Sequence, residues 1–412
     1  MRFIACLFIF CSLLSYGQKK DDNQFEKFAH KQDSLFVKAY DKKDTNGYKK
    51  LLKEFLAKYN ALSADDKKTN IGYLNGAYYN FCCTYSILNK KSMALEYFKK
   101  SIQAGYFNYA HMQEDSDLNN IRNENEFKVI IQPLKNNYDY LFVLKNAAKY
   151  NTADNRELPA FTYQSSNDPN LVALRRAFNL DSIVGTGNVE SKMINLLHWI
   201  HNIVPHDGNH ENPAVKNAMS MIMLCKKQKR GLNCRGLSTV LNECYLSLGF
   251  KSRFVTCMPK DSLGIDEDCH VIVIVFDTTM KKWVWVDPTN DAYVMNENGE
   301  MLSIEEVRTR IVEGKPLILN PDANWNHKES VVKEHYLYQY MTKNLYMMQC
   351  PVNSEYNTET SENGKTYTYI TLLPLEYYQQ SPDKKENLNK EKQTRQIIYN
   401  TNNSSKFWAP PS

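Results

Sequence analysis

The chain has 412 residues, too many for one ordinary hydrophobic core, so two or three domains are expected. Hydrophobic residues make up 42% and charged residues 24%, a balance that excludes intrinsic disorder. A net charge of only +5 gives no ground for a nucleic-acid partner, and ten cysteines are too sparse for a disulfide scaffold.

Residues 2–17 read as a signal peptide. Arg2 precedes an apolar run over 3–14, and Ser15-Tyr16-Gly17 places small residues at the outer positions of a cleavage site. The run is too short to cross a bilayer, and no later segment approaches the roughly 18 apolar residues of a spanning helix, so no transmembrane segment is expected. The mature chain then starts at Gln18 and is exported, to the periplasm or the extracellular space, leaving Cys6 and Cys11 behind.

Residues 18–136 read as an all-α domain. Proline is absent until Pro133, and Phe36, Ala39, Tyr40, then Tyr48, Leu51, Leu52, Phe55, Leu56 and Tyr59 recur at helical spacing. Tyr78, Phe81, Cys82 and Tyr85 form a further stripe, and Ala94, Phe98 and Ser101 another, with Asn89-Lys90 as the turn. This unit resembles the tetratricopeptide (TPR) repeat, with Cys82 at a small-residue position and the terminal proline missing. The resemblance implies a surface for a protein partner, or a brace for the neighbouring domain. Cys82 and Cys83 are expected to pack in a helix interface, and Asp115 and Asp117 to cap a helix rather than hold a cation. Residues 137–170 read as a connecting segment with one helix near 138–150.

The chemistry is concentrated in 171–326. In Gly231-Leu232-Asn233-Cys234-Arg235-Gly236 the cysteine opens an amphipathic helix that continues through Leu237, Val240, Leu241, Cys244 and Leu248 to a stop at Gly249. A thiol on a first helical turn meets unpaired N–H groups and the positive end of the dipole, which favour its ionised form. Cys269-His270 then leads a β-branched run to Phe276, 277–280 reads as a four-residue turn, and 281–288 returns as a second strand. That turn sets Phe276 opposite Lys281 and, continuing the register, His270 opposite Asp287, side by side on one face. Asp287 would orient the ring and His270 would activate Cys234.

These stretches together resemble the transglutaminase-like superfamily. The residues that carry the resemblance are Leu174-Arg175-Arg176-Ala177-Phe178, Leu197-His198-Trp199-Ile200-His201-Asn202, Pro205-His206-Asp207-Gly208, Gly231 through Gly236, Asp268-Cys269-His270 and Trp285-Val286-Asp287-Pro288-Thr289, continued by Asn298-Gly299 and Leu302-Ser303-Ile304-Glu305-Glu306. It implies an α+β fold with a papain-like transglutaminase core and a Cys-His-Asp triad: Cys234 as nucleophile, His270 as general base and acid, Asp287 as the orienting carboxylate. Members act as peptidases, amidases or acyl transferases, and some are non-catalytic. The expected activity is cysteine-dependent attack on peptide, protein or cell-wall amides through a thioester, with hydrolysis preferred over cross-linking because no acceptor-amine site is visible. The alternative is a non-catalytic protein that binds peptide or glycan in a retired cleft.

Trp199, Asn202, His206, Trp283 and Trp285 are candidates to line the cleft, although Trp283 and Trp285 equally suit sheet packing. The Cys234 N–H is one candidate oxyanion donor; a second is not identifiable. His198, His201, His206 and His210 are spaced by three, five and four, but no HExxH helix is present, so no metal and no cofactor are expected. Residues 327–412 hold strand-like runs at 345–350 and 366–373 and read as a small β appendage, with 381–392 as a solvated linker or helix and Phe407-Trp408 docked on the body.

Overall fold

A computed structural model describes residues 24–260 and 268–411. The expected leader, 2–17, lies outside the described residues. Among those described, no helix is long and apolar enough to cross a membrane. The chain divides into two units, Met1–Asp139 and Tyr140–Ser412, and mixes helix and sheet.

The first unit is helical throughout its described part: α1 Gln24–Asp41, α2 Thr45–Asn60, α3 Ala64–Thr69, α4 Ile71–Ile87, α5 Lys91–Gln103, α6 Tyr109–Glu114 and α7 Asn125–Tyr138. Sequence spacing sets the pairing. Tyr48 of α2 stacks on Phe81 of α4 at 4.5 Å, and Phe98 of α5 stacks on Phe127 of α7 at 4.6 Å. Asn89, at φ 54°, turns α4 into α5. Cys82 and Cys83 are buried and unpaired in that interface. Asp115 caps the turn after α6 through the N–H of Asp117 at 2.9 Å, and its other oxygen takes the Tyr79 hydroxyl at 2.8 Å. Because α7 runs to Tyr138, the helical unit extends past the expected boundary at 136, and the connecting segment's helix, α8 Tyr140–Asn146, is shorter than expected.

The second unit is built on a nine-stranded sheet. Its helices α9 Pro169–Ala177, α10 Leu180–Val184, α11 Val189–Ile203, α12 Ala218–Gln228 and α13 Cys234–Ser247 precede most of the strands, and α14 Ile304–Glu313 falls among them. The strands are β1 Thr162–Tyr163, β2 Ser252–Met258, β3 His270–Asp277, β4 Lys282–Asp287, β5 Ala292–Met295, β6 Ile318–Leu319, β7 Asn324–Trp325, β8 Glu329–Ser330, β9 Met347–Pro351, β10 Asn353–Ser354, β11 Thr366–Leu372, β12 Lys384–Asn389 and β13 Thr394–Thr401. The large sheet has the order β12-β13-β11-β9-β2-β3-β4-β5-β6; β1 pairs with β10 and β7 with β8. Val271, Val273, Val275, Val284 and Val286 pack under α11, α12 and α13, while Ile272, Ile274, Trp283 and Trp285 face a second core with Ile304, Val307 and Leu337. Burial on both faces is why β3 reads as an unbroken apolar run. Buried Glu243 on α13 accepts from the N–H groups of Ala218 and Asn357, at 2.7 and 2.8 Å, tying α12 and the loop before β11 to the central helix.

Three expectations change. The β3–β4 hairpin pairs Val273 with Val286 and Asp277 with Lys282, two residues away from the expected register. The cause is the Asp277 carboxylate, which accepts from the N–H groups of Thr279 and Met280 at 2.6 and 2.9 Å and draws Asp277 into the ladder, so that the loop is 278–281. Because the slip is two residues, His270 and Asp287 keep the same face and become diagonal neighbours rather than directly opposed ones. The strands after residue 327 form no separate appendage: β9 pairs with β2 and extends the same sheet. Residues 384–389, expected as linker or helix, form the edge strand β12 against β13. Phe407 and Trp408 are buried on the body, with the Phe407 carbonyl taking the Arg253 guanidinium at 2.7 Å.

Candidate active site

Cys234 is the first residue of α13. Asn233 caps that helix, its Oδ1 accepting from the Gly236 N–H at 3.1 Å. Asn212 in turn holds Asn233, donating to its Oδ1 at 2.7 Å and accepting from its N–H at 3.1 Å. Gly236 is required beneath it, since a Cβ there would lie 2.5 Å from Asn212 Oδ1. Gly231 is required as well: its Cβ would lie 2.3 Å from the Pro205 carbonyl, where the strand-like 205–207 segment runs alongside 231–233. Ser238 donates to the Val271 carbonyl at 2.7 Å, locking α13 onto β3.

His270 begins β3 and Asp287 ends the antiparallel β4, so both lie at one end of the sheet. His270 Nε2 and Asp287 Oδ2 are 2.7 Å apart. His270 is 2% exposed and Asp287 fully buried. The Cys234 side chain lies beside the His270 ring, close enough to bias its charge. With Nε2 engaged by Asp287, Nδ1 is the ring nitrogen left for the thiol. Burial alone would lower the His270 pKa, but the Asp287 charge and hydrogen bond, with Cys234 beside the ring, hold it well above its ordinary value. Burial acts to raise Asp287, and the His270 charge together with hydrogen bonds from His270, Asn290 and Tyr336 takes it down to about 2.

Several groups here were not singled out from the sequence. Tyr336 donates to Asp287 Oδ2 at 2.6 Å, and Asn290 at 3.0 Å. The ring of Tyr340 meets His270 edge-on, with centroids 5.3 Å apart. Both tyrosines come from a π-helical turn, Tyr336–Met341, a geometry that recurs at functional sites. Arg235, next to Cys234 in the chain, is paired with Glu359 at 2.6 Å and with Thr256 at 2.9 Å. Half-buried Cys269 lies in the same electrostatic neighbourhood; burial and Cys234 push its thiol up to about 11.

The cleft candidates divide. His206 is half-buried, and its pKa falls to about 4 through burial and the charge of His270. Trp325 donates its indole N–H to His206 Nδ1 at 3.3 Å. Trp283 instead packs in the second core and donates to the Trp408 carbonyl at 3.1 Å, and fully buried Trp285 lies against Tyr336, so these two wall no cleft. The alternation that put them on the Asp287 face is real, but that face is covered. Trp199 packs on Phe178 with centroids 5.7 Å apart, and Asn202 is exposed on the same helix. Neither shares a hydrogen bond or ring contact with Cys234, His270 or Asp287 among the described residues. The four histidines do not converge: His198 pairs with Asp291 at 2.8 Å, His201 with Asn324 at 2.9 Å and His210 with Asp207 at 2.7 Å.

No family model and no curated protein matches the chain. A solved structure is similar in part: the crystal structure of a protein described as a candidate cysteine protease from Cytophaga hutchinsonii, at 18% identity and a TM-score of 0.23. The match covers 32% of this chain and 40% of that one, so the chain spans less than half of its neighbour's length.

Proposed function

We propose that the chain is a cysteine-dependent hydrolase of amide bonds, built on a papain-like, transglutaminase-like core and acting on peptide, protein or cell-wall substrates. The observation that carries this reading is His270, whose ring has the Cys234 side chain beside it while its Nε2 lies 2.7 Å from fully buried Asp287. A lone buried histidine would sit neutral and satisfied; one held between a carboxylate and a thiol on a first helical turn is placed to carry a proton.

In this mechanism the Cys234 sulfur attacks the amide carbonyl carbon. The proton from the thiol resides on His270, and Asp287 stabilises the resulting imidazolium. His270 then protonates the departing amine, and water, deprotonated by the same ring, cleaves the thioester. The N–H of Cys234, free of an intrahelical partner at the helix start, serves the developing oxyanion. Water is the proposed acceptor. Export rests on residues 2–17, and the α4–α5 pair, with its TPR-like spacing, is proposed as a partner-docking surface.

The test is turnover of a peptide and muropeptide library by wild type and Cys234→Ala. Cleavage abolished in the variant supports the reading. Cleavage that survives it overturns the mechanism.

A further inference from the structure

The mechanism above leaves the oxyanion with one identified donor. The segment that carries His206 runs alongside the one entering α13. The Asp207 N–H donates to the Leu232 carbonyl at 2.7 Å and the Leu232 N–H to the Pro205 carbonyl at 3.1 Å. His206 therefore pairs beside Leu232, two residues before Cys234. Its own backbone is clamped on both sides by Asn326, which accepts from its N–H at 2.6 Å and donates to its carbonyl at 2.9 Å.

The ring is held in one tautomer. An indole N–H only donates, so the 3.3 Å contact from Trp325 makes His206 Nδ1 an acceptor, and in the neutral ring the proton sits on Nε2. Burial and the neighbouring His270 keep the ring neutral at ordinary pH. The Nε2–H has no hydrogen-bond partner among the described residues. A neutral imidazole fixed this way donates a hydrogen bond without competing for the proton that His270 carries.

Resting on the cysteine-hydrolase reading, we propose that the Nε2–H of His206 is the second oxyanion donor. As the Cys234 S–C bond forms, the carbonyl π pair moves onto oxygen, where the Cys234 N–H and the His206 Nε2–H bind it. The pair returns as the C–N bond breaks and the amine leaves with the proton from His270. No proton leaves His206. Trp325 is a positioning residue that holds the tautomer.

Two probes separate this role from a structural one. Acylation by p-nitrophenyl acetate passes through an oxyanion; alkylation of Cys234 by iodoacetamide does not. His206→Ala is expected to slow acylation about 100-fold while alkylation stays within about twofold. His206→Gln, which keeps an N–H donor and covers the chance that alanine disturbs folding, is expected to retain acylation within about tenfold of wild type. Acylation unchanged in both variants overturns the proposal, as does a parallel loss of alkylation and acylation in both. A selective loss in Tyr340→Phe in place of His206→Ala assigns the donor to Tyr340 and overturns it too. A wild type that acylates nowhere, with Cys234 alkylated no faster than Cys269, sinks the hydrolase reading itself.

Discussion

The Tyr336 hydroxyl donates to Asp287 Oδ2 at 2.6 Å across 49 residues of chain. Together with His270 and Asn290 on the same oxygen, and the Thr289 N–H at 2.9 Å on the other, it surrounds a fully buried carboxylate with donors. A buried charge is tolerated only when its lone pairs are satisfied in this way. Tyr336→Phe is expected to cost about 1.5–3 kcal/mol, the range for a hydrogen bond to a charged group, read as a lower urea midpoint with an unchanged slope.

The pair of His270 and Asp287 predicts a pH window for stability. His270 is raised above its ordinary 6.5, so its contribution is complete below that pH and is lost as pH rises through the folded value. Asp287 is lowered from 3.8 to about 2, so its contribution is complete above 3.8 and is lost as pH falls towards about 2. The stability difference between wild type and His270→Gln is expected to be largest between these limits and to shrink on both sides, measured by urea denaturation across pH.

Gly231→Ala would place a Cβ 2.3 Å from the Pro205 carbonyl and 2.8 Å from Asp207 Cβ. Both belong to a backbone segment that cannot yield without breaking its pairing to Leu232. A loss of about 1–3 kcal/mol is expected, in the range of an overpacked core, with slower alkylation of Cys234 because the entry to α13 moves.

The C-terminal turn closes over β2 and β4. Phe407 is fully buried, its ring crosses Phe161 edge-on, and its carbonyl takes the Arg253 guanidinium. Phe407→Ala is expected to cost about 3–5 kcal/mol, measured as a lower unfolding midpoint.

Much of the site's local structure was legible from local signals. The Asn233 cap and the apolar spacing from Leu237 to Leu248 announced the helix that Cys234 opens, and the two β-branched runs announced the hairpin. The register was not legible, because the Asp277 turn that moves it is one of several that four residues can make. Tyr336 and Tyr340 were not legible because Tyr-Leu-Tyr-Gln-Tyr carries no chemistry alone; a π turn aims it, and only the tertiary fold brings it to Asp287. The joining of β9 to β2 was hidden for the same reason, since pairing between distant strands leaves no local mark. Trp283 and Trp285 show the reverse case: alternation gave their face, but not that α14 and the chain's C-terminal turn cover it.

The central claim is that His270 makes Cys234 a nucleophile. Cys269 is the internal comparison, as a half-buried thiol in the same neighbourhood without a position on a first helical turn. The direct measurement is the rate of iodoacetamide labelling at each cysteine by mass spectrometry between pH 5 and 9, in wild type and His270→Ala. Labelling of Cys234 at least ~10-fold faster than Cys269 below pH 7, an advantage lost in His270→Ala, is the predicted result. Equal rates at the two cysteines, or an advantage that persists without His270, would contradict it.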